Sequence, residues 1–349
     1  MKKAVAKIEL TTPCISSGAD QKVGELRSAS MRGLLHFWFR VTGGSLVDEQ
    51  AIFGRIGKQE YIRKGSLTTR LRVPPDLKCK CKDGKSLCGN NFDYFLWPLR
   101  DQKHTPGSGQ RGIIEQGQSF ELLLSHQRIQ SGRLLSENVL KTALLLGSLG
   151  TRSRRCYGSL WPTEIEIDGG LWAAPKSLDE LSQELNLLLT GKNISVACWG
   201  SETDWRSSVK LASDTFKHYR CGSETSGGTP TKWGRNDHDT PLQRGDRLYR
   251  PAFGLPLAQR YSGKKRMTTR TFVDDGSRKG NDRWASPLLL KVVPLEGKYF
   301  VLAIFLNDYL LKEGTRLQVK EKGRVVADAE LNLDLWREVK SFGDMLYSP

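Results

Sequence analysis

Long apolar stretches are missing from this 349-residue sequence. No segment approaches the roughly 18 consecutive apolar residues that a membrane-spanning helix requires. The first ten residues, MKKAVAKIEL, also lack the apolar centre of a secretory signal peptide. We therefore expect a cytoplasmic protein with no membrane partner.

Acidic side chains are too few to balance the basic ones. The sequence has 54 Lys and Arg residues against 38 Asp and Glu residues, which gives a formal net charge of +16. Residues 1–165 contain 26 of the basic residues and 14 of the acidic ones, and hence +12 of that charge. This balance favours a polyanionic partner, and its asymmetry indicates that the first half is the interaction surface. A basic face that serves solubility alone is the alternative.

Cysteines are present, but their spacing argues against a secreted disulfide framework. The seven cysteines are odd in number and loosely spaced. Three of them, Cys79, Cys81 and Cys88, fall within one short segment, and His104 is the only histidine near them. Three thiolates and one imidazole suit a tetrahedral zinc ion. The set predicts a structural zinc site, with free or redox-active thiols as the alternative.

The periodicity of residues 1–167 predicts an α+β domain. Alternating apolar and polar residues predict four strands, at 4–12, 66–74, 118–124 and 157–167. Helical spacing predicts a helix capped by Ser28 or Ser30 and a second helix over 136–147. The resulting order, βαββαβ, is that of a ferredoxin-like (RRM-like) fold, provided that 75–117 is a long loop insertion.

The pattern in residues 168–349 is weaker. We expect a connection with a short helix over 168–192, apolar runs at 287–294 and 299–306, and a terminal helix over 328–346. Two exposed loops are expected at 221–247 and 262–282. The loops are rich in Gly, Thr, Asp and Arg and poor in aliphatic residues. Such composition disfavours a packed core, so this part of the chain is expected to carry insertion loops over 221–282.

One segment, Gly147–Ser159 (GSLGTRSRRCYGS), combines glycines with three arginines. Glycine allows close backbone approach, and exposed N–H groups suit phosphate oxygens. Arg152, Arg154 and Arg155 would add fixed charge, and Tyr157 is predicted to stack on an unpaired base. The Gly-Lys-[Ser/Thr] ending of a nucleotide-binding P-loop is missing, which argues against triphosphate binding. A solvated hairpin loop is the alternative.

Two further basic groups are candidate RNA contacts. Arg27 and Arg32 flank the start of the first predicted helix, where the helix N-terminus already attracts anions. Lys264, Lys265 and Arg266 form a basic run in the second loop region. For this run, a solvated loop is as good an interpretation as a contact with RNA or another subunit.

Several motifs together resemble the RAMP superfamily, and most closely its large two-domain subunit from type III-B (Cmr) CRISPR effectors. The matching segments are Thr12-Pro13, Glu25–Arg27, Met31–Arg40, Ile52–Gly54, Gly147–Ser159, Phe253–Pro256 and Arg283–Leu289. Each is weak alone, but jointly they are specific and span roughly residues 10–290. The sequence departs from the family at Ser148 and Cys156, where glycine is usual, and at His36, where arginine is common.

The resemblance implies a fold, partners and contacts. It implies two ferredoxin-like domains, 1–167 and 168–349, in a subunit at the end of the complex distal to the 5′ handle of the CRISPR RNA. Its partners would be CRISPR RNA, target RNA, and other RAMP and small subunits, with the 3′ part of the guide–target duplex held there. The candidate RNA contacts are Arg27, Arg32, Arg40, Gly147, Gly150, Arg152, Arg154, Arg155, Tyr157, Lys264, Lys265, Arg266 and Arg283.

Histidine is scarce, which bears on catalysis. Hydrolysis of RNA needs a general base and an acid placed about the 2′-hydroxyl. The five histidines, at positions 36, 104, 126, 218 and 238, form no recognisable pair in the sequence. We therefore expect a binding subunit that is not an enzyme, as the resemblance also implies. A RAMP endoribonuclease that processes CRISPR RNA precursors is the alternative.

Overall fold

The computed structural model describes residues 1–55, 64–88, 94–99, 108–127, 133–221, 237, 246–255, 257–259, 269–274, 284–321, 324–341 and 343–349. Its helices are α1 (Ser28–Val41), α2 (Leu46–Phe53), α3 (Gly84–Cys88), α4 (Glu137–Leu146), α5 (Leu178–Leu189), α6 (Trp205–Cys221) and α7 (Asp334–Lys340). In the parts of the chain so described, no helix is long and apolar enough to cross a membrane.

The strands of the described residues form four sheets. They are β1 (Lys3–Leu10), β2 (Cys14–Ile15), β3 (Leu67–Arg72), β4 (Cys79–Lys82), β5 (Arg111–Ile114), β6 (Ser119–His126), β7 (Leu160–Ile167), β8 (Gly170–Ala173), β9 (Ile194–Glu202), β10 (Asp246–Leu248), β11 (Leu257–Gln259), β12 (Thr269–Val273), β13 (Leu288–Leu295), β14 (Lys298–Leu306), β15 (Arg316–Glu321), β16 (Arg324–Leu331) and β17 (Asp344–Tyr347).

The first sheet has the antiparallel order β3-β6-β1-β7-β8. In β1 every second side chain is buried, from Ala4 to Leu10. This face packs with α1 and α4 in one hydrophobic core, to which α1 contributes Met31, Leu35 and Trp38. The strands and helices predicted for residues 1–167 are confirmed to within about three residues at their ends. The predicted cap of α1 is wrong: Arg27 precedes the helix, and Ser28 and Ser30 lie within it.

The second sheet has the order β13-β14-β9-β17, and its strands β13 and β14 are buried on both faces. Alternate residues of β14 pack in two different hydrophobic cores. Leu302 and Ile304 pack toward the first sheet. Val301 and Phe305 pack toward α6 and the sheet that contains β15 and β16. Burial on both faces explains why the segment 299–306 is a continuous apolar run rather than an alternating one.

Three predictions for the chain are corrected by the structure. The terminal helix over 328–346 is wrong: β16, the short helix α7 and β17 occupy that region. The exposed loop over 262–282 includes β12, which joins the third sheet, β10-β16-β15-β12-β11. The insertion 75–117 is not irregular throughout, because β5 pairs with both β4 and β2 in a fourth sheet.

The insertion also has apolar residues on which to fold. Phe95 is buried, and its ring centroid lies 5.8 Å from that of Phe216 in α6. The backbone N–H of Tyr94 donates to Ser213 Oγ at 2.8 Å. Residues 94–99 of the insertion therefore dock on α6, so a metal is not the only source of order in the insertion.

Candidate nucleic-acid interface

The segment from Gly147 to Ser159, called the glycine-rich loop below, is folded back on the protein. The N–H of Leu149 donates to Gly158 O at 2.8 Å, and the N–H of Gly158 donates to Pro13 O at 2.8 Å. The N–H of Thr151 donates to Ile15 O at 2.9 Å. These donors are therefore used inside the fold and are not presented to phosphate. The part of the loop nearest to solvent is its tip, where Thr151 is exposed and Arg152 is partly exposed.

Three positions of the loop adopt a positive φ. They are Gly150 at +87°, Cys156 at +66° and Gly158 at +67°. Cys156 thus takes a left-handed conformation that glycine adopts more easily, which gives a physical reason for glycine at that position in the family. The departure at Cys156 does not abolish this conformation.

The loop joins the first sheet to the second. The N–H of Cys156 donates to Leu290 O at 2.8 Å, and the N–H of Leu290 donates to Arg154 O at 3.3 Å. Val292 N–H donates to Ser159 Oγ at 3.1 Å. The backbone of the loop therefore pairs with β13, the edge strand of the second sheet.

A buried lysine strengthens the same junction. Lys291 in β13 has no exposed surface, and its Nζ donates to Leu144 O at 2.8 Å and to Gly147 O at 2.9 Å. Both carbonyls belong to the C-terminal end of α4, where free acceptors and partial negative charge attract a cation. Burial lowers the pKa of Lys291 well below its usual value. Lys291 is not among the functional residues predicted from the sequence.

Two of the predicted RNA-binding arginines contact the Arg283–Leu289 motif. Arg154 Nη1 donates to Ser286 O. Arg155 Nη1 donates to Leu288 O at 3.1 Å, and burial lowers the pKa of this guanidinium. The two distant sequence motifs therefore meet in space, and Arg155 serves this contact rather than an open surface.

The predicted stacking of Tyr157 on an unpaired base is wrong. Its side chain is 1% exposed and packs in the core that contains α6 and the third sheet. A ring in that position has no face accessible to a nucleobase. Composition alone did not distinguish an exposed tyrosine from one that anchors the loop.

The two arginines in α1 and the one directly before it have different environments. Arg32 faces the fold, with Nη1 donating to Leu67 O at 2.7 Å and Nη2 to Phe53 O at 2.6 Å. Arg27, immediately before the helix, and Arg40, in its last turn, are exposed. Arg40 donates to Glu49 Oε1 through both Nε, at 3.0 Å, and Nη2, at 2.5 Å, while its side chain stays 57% exposed.

His36 has an acidic partner that sequence reasoning missed. Its Nε2 contacts Glu49 Oε1, and its ring stacks on that of Phe53 with centroids 4.6 Å apart. Arg40 and His36 together hold the pKa of the Glu49 carboxyl below its usual value. Glu49 comes from α2, so only the packing of α2 against α1 brings the pair together.

An open cleft of about 230 Å³ lies between α1 and the glycine-rich loop. Phe37 of α1, Gly147, Gly150 and Arg154 are among the residues that line it. Gly147 and Gly150 thus face a cavity although parts of the loop are buried. This cleft brings together several of the candidate RNA contacts.

The predicted zinc ligands are only partly described. Cys79 and Cys81 are both exposed and stand two residues apart on β4, so their side chains lie on one face of the strand. Among the residues with described placement, no three His, Cys, Asp or Glu side chains form a metal-binding group. The side chain of Cys88 and the whole of His104 lie outside the described residues.

Four candidate RNA contacts also lie outside the described residues. They are Lys264, Lys265, Arg266 and Arg283. Trp284, next to the last of them, is described: its backbone pairs with that of Leu255, and its indole Nε1 donates to Tyr309 O at 2.7 Å.

Comparisons with known sequences find relatives from Pyrococcus furiosus. The protein named CRISPR system Cmr subunit Cmr1-1 is 30% identical over 301 residues, which cover 78% of this chain and 78% of that protein. The protein named Cmr1-2 is 25% identical over 184 residues, which cover 46% of this chain and 95% of that protein. No protein-family model matches the chain.

Solved structures show the same fold. The crystal structure of apo Cmr1 from Pyrococcus furiosus has a TM-score of 0.56 and 18% identity, covering 100% of this chain and 99% of that one. A chain of the cryo-EM structure of Type III-B Cmr-beta bound to cognate target RNA has a TM-score of 0.50 and 12% identity, covering 87% and 94%. The resemblance drawn from the motifs is therefore confirmed: this chain belongs to the Cmr1 family of CRISPR-system Cmr subunits.

Proposed function

We propose that this chain is a non-catalytic, RNA-binding subunit of a type III-B CRISPR effector complex in antiviral defence. Family membership supports the assignment to such a complex, and a solved neighbour of similar fold belongs to a complex bound to target RNA. The observation that carries RNA binding is the exposure of Arg27 and Arg40, just before α1 and in its last turn, on the helix whose Phe37 lines the cleft of the glycine-rich loop.

We further propose that the subunit caps the distal end of the complex and holds the 3′ part of the guide–target duplex there. The proposed architecture is two ferredoxin-like domains, 1–167 and 168–349. The order β1, α1, β3, β6, α4, β7 along the chain and the sheet order β3-β6-β1-β7 support the first. The order β9, α6, β13, β14, α7, β17 and the sheet order β13-β14-β9-β17 support the second.

Removing the exposed arginines just before α1 and in its last turn tests RNA binding. The double substitution Arg27→Ala and Arg40→Ala is expected to weaken binding of the full chain to a guide–target duplex roughly 10-fold at low salt, because two phosphate contacts are lost. The slope of log affinity against log salt should flatten by about 1.4–1.8 for the same reason. Fluorescence anisotropy across a salt series measures both quantities.

A matched control removes two positive charges elsewhere. Arg206→Ala with Lys210→Ala changes two exposed residues of α6 and the same net charge. Its affinity and salt slope should stay near those of the wild type. If the two double variants behave alike, RNA binding does not use the α1 surface.

The contact between His36 and Glu49 favours one alternative, a RAMP endoribonuclease. A histidine held by a carboxylate is a recognised arrangement for a general base. The aromatic stacking and the Arg40–Glu49 pair equally suit a structural role for His36. Incubation of the purified chain with CRISPR repeat RNA separates the two: we expect no cleavage, and metal-independent cleavage that His36→Ala abolishes would establish the enzyme.

We also propose a structural zinc ion at Cys79, Cys81, Cys88 and His104. The two exposed thiols on one face of β4 support it, since they are placed to bind one ion. Protein purified without chelators should contain about one zinc per chain, and Cys79→Ser with Cys81→Ser should lose it. Zinc retained by that double variant, or no zinc in the wild type, would leave free thiols as the correct interpretation.

A further inference from the structure

Two aromatic side chains from distant parts of the chain meet at the surface beside the cleft. Tyr309 is 37% exposed and lies in a short 3₁₀ turn, Asn307–Tyr309, directly after β14. Its ring centroid is 6.4 Å from that of Phe37 in α1, with an angle of 44° between the rings. Phe37 also lines the cleft.

The turn that carries Tyr309 is held in place by its neighbours. Trp284 Nε1 donates to Tyr309 O at 2.7 Å, and the N–H of Asn307 donates to Asn193 O at 3.1 Å. Asp308, the nearest carboxylate in sequence, accepts a hydrogen bond from Asn193 Nδ2 at 2.7 Å. The phenol ring therefore projects from an ordered turn rather than from a loose loop.

Two cations accompany the aromatic pair. The guanidinium carbon of Arg154 lies 5.3 Å from the ring centroid of Phe37. Arg40 follows Phe37 by one helical turn, so both lie on the same side of α1. Burial raises the pKa of Tyr309 and the Asp308 charge adds to that rise, whereas the charges of Arg40 and Arg154 oppose it.

This combination fits one class of ligand. An unpaired nucleotide presents a flat base that stacks on aromatic rings and a phosphate that pairs with arginine. The bases inside a duplex have no free face for such a contact. The described residues that line the cleft include no acidic side chain that would repel a phosphate.

We propose that Tyr309 and Phe37 form a stacking site for an unpaired RNA base, with Arg40 and Arg154 placed for the adjoining sugar–phosphate backbone. The site rests on the proposed RNA-binding function and adds to it a specific nucleotide contact. It predicts that the chain prefers RNA with an unpaired nucleotide next to the duplex over a blunt duplex.

The test compares a guide–target duplex that has a short unpaired overhang with the same duplex made blunt. Tyr309→Ala should reduce the wild-type preference for the overhang roughly 10-fold, with the salt slope unchanged because no charge is removed. Tyr309→Trp should restore the preference. With 2-aminopurine in the overhang, stacking should quench fluorescence in the wild type but not in Tyr309→Ala.

Tyr299→Ala is the matched control, since it removes the same side chain from the opposite end of β14; it should keep the preference. If the wild type binds neither RNA, the proposed function fails. If it binds both RNAs and Tyr309→Ala leaves the overhang preference intact, the stacking site alone is wrong. Loss of co-purifying subunits with an intact preference would mean that Tyr309 contacts a protein.

Discussion

Replacement of Lys291 by alanine is expected to lower the free energy of unfolding by about 4 kcal/mol, because it leaves a buried cavity and removes two hydrogen bonds. The Leu144 carbonyl would lose this donor, and the Gly147 carbonyl would keep only the N–H of Leu160, at 3.4 Å. Relief of the lysine from its unfavourable burial opposes this loss but does not outweigh it. Urea unfolding followed by circular dichroism measures the difference.

Lys291→Met separates the two contributions. Methionine fills most of the space but donates no hydrogen bond, so its cost is expected to be about 2 kcal/mol, from the two lost hydrogen bonds alone. Lys298→Ala, at the exposed start of β14, is the control and should change stability by less than about 0.5 kcal/mol. A methionine variant as stable as the wild type would show that burying the lysine costs as much as its bonds contribute.

The pH dependence of the wild type has a definite sign. Burial lowers the pKa of Lys291 in the folded state. Between that lowered pKa and the ordinary lysine pKa of 10.5, the unfolded chain therefore binds a proton that the folded chain does not hold. The free energy of unfolding therefore rises with pH across that window. Lys291→Met should lack this contribution, so the difference between the two proteins should grow as the pH rises toward 10.5.

Much of the fold could be predicted from local pattern. The alternation in β1 and the helical spacing of α1 and α4 record which faces are buried, and their positions followed from that alone. The error at 328–346 has a physical cause. Residues 324–331, RVVADAEL, contain good helix formers, but their pairing with β15 makes them a strand. Pairing between strands is a tertiary effect that overrides local preference.

The site was harder to predict because composition does not show whether a side chain faces solvent or the interior of the protein. The arginines of the glycine-rich loop suggested a surface for phosphate, yet Arg155 binds Leu288 O, and Tyr157 is core. Lys291 did leave a signal. It interrupts the apolar run LLLKVVPL, and a lysine in a strand buried on both faces must find acceptors within the protein. Tyr309 left no signal, since its partner Phe37 is about 270 residues away in the sequence.

Gly158→Ala is expected to destabilise the protein by about 3 kcal/mol or more, since a positive φ and a backbone clash act together. Gly158 has φ +67°, and an added Cβ would lie 2.0 Å from Leu149 O. The Gly158 carbonyl accepts the Leu149 N–H at 2.8 Å, so moving this backbone breaks a hydrogen bond of the loop. Because Leu149 also lines the cleft, RNA affinity should fall in the same variant.

Gly169→Ala provides the comparison that isolates the clash. Gly169 has φ +91°, but an added Cβ would meet no atom within 4 Å. Its cost should therefore be the conformational one alone, about 1 kcal/mol, with RNA binding retained. Equal unfolding free energies for the two variants would show that the loop backbone at Gly158 moves away from the added Cβ at little cost. A larger loss at Gly158, together with weaker RNA binding, would show that the close packing of the glycine-rich loop shapes the cleft.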